Sequence, residues 1–160
     1  MSYVQTDVLD VVIIGGGLVG GLTALLLAKG GVQATVLDAA SILDEHKTLS
    51  VANPRVLALS QATIHLLKTV DVWDKIARQM PYSGMQVWNK NGYGEIKFGH
   101  ESENFPTAEQ SLGSMVEPSV LNLAIQQKML EQLTDYRTQV QVVRVEQGVG
   151  CWIIKLADGT

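Results

Sequence analysis

At 160 residues and 46% hydrophobic content, the chain is long enough to bury one core of ordinary domain size. A net charge of -4 with no dense Lys/Arg block gives no electrostatic footing for nucleic acid or for a polybasic membrane anchor, and leaves small or apolar partners. One cysteine, Cys151, excludes an internal disulfide framework and any multi-cysteine zinc site, which fits a reducing compartment such as the cytoplasm; His46, His65 and His100 are scattered without metal-ligand spacing.

The first element is a β-branched run, Val11 to Ile14, that suits a strand buried on both faces, and Leu18 to Ala28 supplies the helix formers behind it. The junction, Gly15-Gly-Gly-Leu-Val-Gly20, has the Gly-x-Gly-x-x-Gly spacing of a dinucleotide loop. Gly15 would make the tight turn, Gly17 would let a pyrophosphate approach, and Gly20 would let helix and strand pack closely. Leu18 and Val19 open the helix, where backbone N–H groups face phosphates. A second strand-like run, Gln33 to Leu37, ends on Asp38, 18 residues beyond Gly20, where a carboxylate accepts hydrogen bonds from an adenosine ribose and repels a 2′-phosphate.

A membrane span competes with this reading. Val11 to Ala28 is uncharged over 18 residues, and Gly16/Gly20 and Gly17/Gly21 have the spacing of a membrane-helix pair. Against it, Asp7 and Asp10 stand where an anchor carries Lys or Arg, and adjacent glycines cost roughly 1 kcal/mol each inside a helix.

After Asp38 the chain departs from a plain dehydrogenase domain, which would continue with a helix and a third parallel strand. Residues 39–54 instead read as a long polar loop ending at Pro54. Ser60 is placed to cap a helix with the apolar stripe Ile64, Leu67 and Val70, which leaves His65 off the stripe; Trp73 and Ile76 fall in a short helix behind it. Met85 to Trp88 and Glu95 to Phe98 flank Asn91-Gly92 and predict a hairpin, with a type I′ turn or a longer loop. Gly99 to Gly113 is a polar connection. Met115 to Glu117 resumes structure, and Pro118 suits the first turn of a helix whose Leu121, Ile125, Met129 and Leu133 form a buried face, with Ala124 and Leu130 beside them. Val140 to Glu146 and Trp152 to Leu156 read as two strands, the first doubly buried or bulged at Val142-Val143. Asp158-Gly159 reads as a turn.

Asp10 to Gly20, Arg55-Val-Leu-Ala-Leu-Ser60, Leu66-Leu67 with Val72-Trp73, and Val116-Glu117 before a helix resemble the N-terminal part of flavin-dependent aromatic hydroxylases, most closely the ubiquinone-biosynthesis branch. The resemblance implies an α/β, Rossmann-like FAD-binding domain with a β-α-β start and an inserted antiparallel hairpin. Residues 1–160 would be its N-terminal portion, incomplete, with the hairpin at 85–98 bordering a substrate domain. It assigns the ADP half of FAD to Gly15, Gly17, Leu18, Val19, Gly20 and Asp38, and places Arg55 near the diphosphate and ribityl groups. The alternative for Arg55 is a surface ion pair with Asp44 or Glu45. Glu117 stands at a polar position beside the cofactor, although Pro118 replaces the asparagine of the family pattern.

The implied chemistry is reduction of FAD by NAD(P)H and oxygen-dependent hydroxylation of a small aromatic, lipid-like substrate, with no protein-based catalytic residue and with peripheral membrane or biosynthetic-complex association open. The family pattern continues past Thr160, so this stretch alone is expected to be inactive. Another FAD- or NAD-dependent oxidoreductase and a noncatalytic nucleotide-binding module are the competing classes.

Overall fold

A computed structural model describes residues 7–99 and 111–159. In chain order the elements are β1 (Val12–Ile14), α1 (Leu18–Lys29), β2 (Thr35–Asp38), α2 (Glu45–Ser50), β3 (Leu57–Ser60) and α3 (Gln61–Thr69). A 3-10 turn at Trp73–Lys75 precedes β4 (Gln79–Tyr82), β5 (Gly84–Trp88) and β6 (Glu95–Gly99). Then come β7 (Gly113–Val116), α4 (Pro118–Gln132), β8 (Tyr136–Thr138), β9 (Val142–Gln147) and β10 (Trp152–Leu156). Two compact units divide the chain, Met1–His46 with Asn122–Thr160 and Lys47–Leu121.

The first unit is built on a parallel sheet in the order β1-β2-β8, with Val12 opposite Thr35 and Val36 opposite Tyr136. Thr35, Val36 and Leu37 are buried, as suits the middle strand of a parallel sheet covered on both faces, whereas β1, read as buried on both faces, lies at the edge of this sheet and is only half-buried, with Ile14 52% exposed. The third parallel strand, which the sequence lacks directly after Asp38, is supplied by β8 from about a hundred residues downstream. The apolar stretch Val11 to Ala28 is strand, turn and helix, so the membrane-span reading fails there. No helix among the described residues is long and apolar enough to cross a membrane.

On α4, Leu121, Ala124, Ile125 and Met129 are buried as the spacing predicts, but Leu130 is 49% exposed and Leu133 lies past the helix end. The hairpin β9–β10 starts two residues later than read, at Val142, and its register shifts so that Leu156 faces Val142 while Lys155 faces Arg144. Val143 is therefore the bulged residue, and at 58% exposed it is not doubly buried.

The second unit carries the antiparallel sheet β3-β7-β4 and the two-stranded hairpin β5–β6. Ser60 caps α3 by accepting a hydrogen bond from the Thr63 N–H, and Ile64, Leu67 and Val70 are buried while His65 is exposed. Val87 pairs with Ile96 as the hairpin reading requires. Its loop spans residues 89–94, and neither Asn91 nor Gly92 has positive φ, so the longer loop replaces the type I′ turn. The expected irregular loop 39–54 contains α2, a short helix with no buried residue and hence no apolar stripe to reveal it. Most of the polar connection, residues 100–110 with His100, lies outside the described residues.

Candidate functional site

Gly15 adopts φ +98, a conformation side chains resist, and its N–H donates to the Leu37 carbonyl at 2.8 Å. The turn leaving β1 is thereby tied to the end of β2. Gly17 is the N-cap of α1, with an extended backbone and no side chain to satisfy the helix start. The N–H groups of Leu18 and Val19 are among the helix-start donors that have no intrahelical acceptor, and a Cβ at Gly17 would meet nothing within 4 Å. Donors of this kind, beside open space and aligned with the helix dipole, suit an anionic ligand.

Asp38 closes the same corner. A Cβ on Gly16 would stand 2.7 Å from Asp38 Oδ2 and 3.0 Å from Tyr136 Cε2, so the glycine loop and the carboxylate abut. Asp38 Oδ1 accepts from the Ala40 N–H at 3.1 Å, and the Tyr136 hydroxyl donates to Oδ2 across 3.5 Å. The same hydroxyl accepts from Gln126 Nε2 at 3.0 Å, while Gln126 Oε1 caps the Leu43 N–H. Burial pushes the Tyr136 phenol above its usual range, against the opposing effect of the Gln126 hydrogen bond. Sequence reasoning missed this pair. The available signal was Gln126, a polar residue next to Ile125 on the buried face of an apolar helix.

Arg55 and Glu117 lie in the second unit. Arg55 is exposed, and its backbone N–H donates to Asn53 Oδ1 at 2.9 Å. Glu117 is buried, and its carboxylate is engaged within the protein: Oε1 accepts from Arg78 Nε at 2.7 Å, and Oε2 accepts from Arg78 Nη2 at 3.1 Å and from the Asn53 N–H at 2.7 Å. These donors hold its carboxyl below the usual carboxylate range, the arginine first and the amide second, against the contrary effect of burial. Arg78 was not anticipated from the sequence.

Residues 8–151 match the FAD binding domain family. The chain is 32% identical over 150 residues to the mitochondrial ubiquinone biosynthesis monooxygenase COQ6 of Drosophila melanogaster, covering 88% of this chain and 30% of that protein. It is 33% identical over 126 residues to the 3-demethoxyubiquinol 3-hydroxylase of Escherichia coli K12, covering 75% and 30%. The chain thus spans about a third of the length of these relatives. Among solved structures, the flavin-dependent monooxygenase PieE, determined with FAD and substrate, superposes with a TM-score of 0.65 at 19% identity over 96% of this chain and 28% of its own. The p-nitrophenol 4-monooxygenase PnpA of Pseudomonas putida gives 0.65 at 21% over 93% and 37%. At those identities the likeness is one of fold.

Proposed function

The chain belongs to the FAD binding domain family, and from that premise we propose that it is the cofactor-binding part of an oxygen-dependent monooxygenase acting on an aromatic ring. The substrate is a polyprenylated phenol of ubiquinone biosynthesis, a reading supported by the two ubiquinone-pathway relatives. The observation that carries the cofactor assignment is the closed β1-turn-α1-β2 corner, in which Gly16 abuts Asp38 while Gly17 stands against open space.

Those residues fit an adenine dinucleotide. Gly15 shapes the turn, Gly17 keeps the approach clear of side chains, Leu18 and Val19 offer N–H donors to phosphate, and Gly20 seats the helix on the strand. Asp38 accepts from the ribose hydroxyls. Arg55 is assigned to the diphosphate on the strength of its matching segment, Arg55 to Ser60, because a guanidinium binds paired phosphate oxygens in a fork. Glu117 enters through Arg78 and Asn53 and not by touching the cofactor.

FAD, when bound and reduced by NAD(P)H, supplies the activation of oxygen. The protein's task is to orient the ring and exclude water. A lipid-like substrate favours work at a membrane surface, so peripheral association at its inner face is part of the proposal.

The visible absorption spectrum of the protein expressed from its natural reading frame, with FAD added, tests the reading. A bound-flavin spectrum, followed by oxygen-dependent NAD(P)H consumption with a prenylated phenol, is the expected result. A well-folded protein with no flavin would remove it.

A further inference from the structure

Antiparallel register explains how a guanidinium meets a carboxylate at one end of the sheet β3-β7-β4. In the β4–β7 ladder Gln79 faces Val116, so the next pair outward is Arg78 and Glu117, on the same end of the sheet. The β3–β7 ladder places Leu57 opposite Val116 as well, which brings the chain entering β3 to the other side of Glu117. Glu117 sits at the end of the central strand with a neighbour on each flank.

Both flanks are used. Arg78 donates to both Glu117 oxygens, and in addition its Nη1 donates to the Leu49 carbonyl at 2.7 Å and its Nη2 to the Val51 carbonyl at 3.5 Å. Glu117 Oε2 takes the Asn53 N–H, and Asn53 Oδ1 takes the Arg55 N–H. Backbone groups of residues 49, 51, 53 and 55 are thereby engaged in sequence, in a segment where residues 51–56 are otherwise exposed. An exposed stretch without apolar anchors has little to hold one conformation, and here charged hydrogen bonds supply the anchor.

We propose that Arg78 and Glu117 are positioning residues that staple the 49–53 segment and, through Asn53, fix the backbone presenting Arg55 to the cofactor. The staple stands on geometry alone; its consequence for the cofactor rests on the reading of Arg55 as a diphosphate contact.

The first test needs no flavin. Limited trypsin digestion reports cleavage after Arg55 against cleavage after Lys90, in the hairpin loop of the same unit. Arg78→Gln and Glu117→Gln should raise the Arg55-to-Lys90 ratio about tenfold through local opening. Asn53→Ala keeps the backbone N–H that Glu117 holds and removes only the Oδ1 acceptor of the Arg55 N–H, so it should raise the ratio too, and covers, at the link to Arg55, the case in which an ion-pair variant fails to fold. Unchanged ratios would overturn the staple.

The second test uses flavin binding by the protein from its natural reading frame. Arg78→Gln should weaken FAD about fivefold with Arg55 present and leave it unchanged in an Arg55→Ala background, because coupled residues are non-additive. Equal losses in both backgrounds would overturn the step through Arg55. If the unsubstituted protein binds no FAD, the cofactor reading and this step fall together, while the trypsin ratio still decides the staple.

Discussion

Gly20 lies so close to Gly15 that a Cβ on it would stand 1.9 Å from the Gly15 carbonyl oxygen and 3.2 Å from Ile13 Cγ2. The obstructing atom is backbone and cannot rotate away. Gly20→Ala should therefore destabilise the fold by roughly 1–3 kcal/mol, the range for overpacking, read as a lower urea midpoint. Gly17→Ala is the contrast, because its Cβ meets nothing within 4 Å and its φ of -72 suits any residue. That substitution should lower the midpoint less than Gly20→Ala does, because the loss of a glycine N-cap to alanine is its one structural cost, and should lower FAD affinity. A change in stability without a change in affinity would reverse the roles given to the two glycines.

Asp38→Ala should weaken FAD binding by roughly 1–3 kcal/mol if it leaves ribose hydroxyls unpaired in the complex. Fluorescence titration of the flavin measures it. An unchanged dissociation constant would take Asp38 out of the site.

Tyr136→Phe removes the hydroxyl that joins Asp38 to Gln126 and leaves the buried Gln126 amide without that acceptor. An orphaned buried donor costs roughly 1–3 kcal/mol, so stability should fall by that order in denaturant unfolding. Wild-type stability in the phenylalanine variant would mean that the hydroxyl carries no net hydrogen bond.

The β-α-β corner was legible because its signals are local. A β-branched run, three glycines and an acid at a fixed distance each impose a conformation on their own neighbourhood, and Ser60 announces α3 through a cap that needs only the next three residues. What was hidden depends on partners far along the chain. Tyr136–Thr138 has no strand signature of its own and becomes a strand because β2 offers it a parallel edge. Arg78 looks like any surface cation until the β4–β7 register sets it beside Glu117. Asn91-Gly92 failed in the other direction. Its turn preference was real but yielded to a loop long enough not to need it.

Acid should loosen the segment behind Arg55, and the sign follows from the direction in which Glu117 is moved. Its carboxyl is held below its ordinary value by Arg78 first and by the Asn53 N–H second. A group whose folded pKa is depressed contributes stability that is complete above its unfolded pKa and is lost as pH falls through the folded one. Asp135, held down by Arg137, and Glu146, held down by Lys155, act in the same sense, so the whole chain should lose stability from about pH 5 downward. Glu117→Gln isolates one share of that loss. The variant should be less stable than the natural chain at neutral pH and should decline less steeply below about pH 4.5, because it has one fewer carboxylate to protonate. Urea midpoints taken at half-unit steps through the acid range measure the two slopes. Identical slopes would mean that Glu117 titrates alike in the folded and unfolded chain, and that the Arg78 ion pair does not hold its proton off.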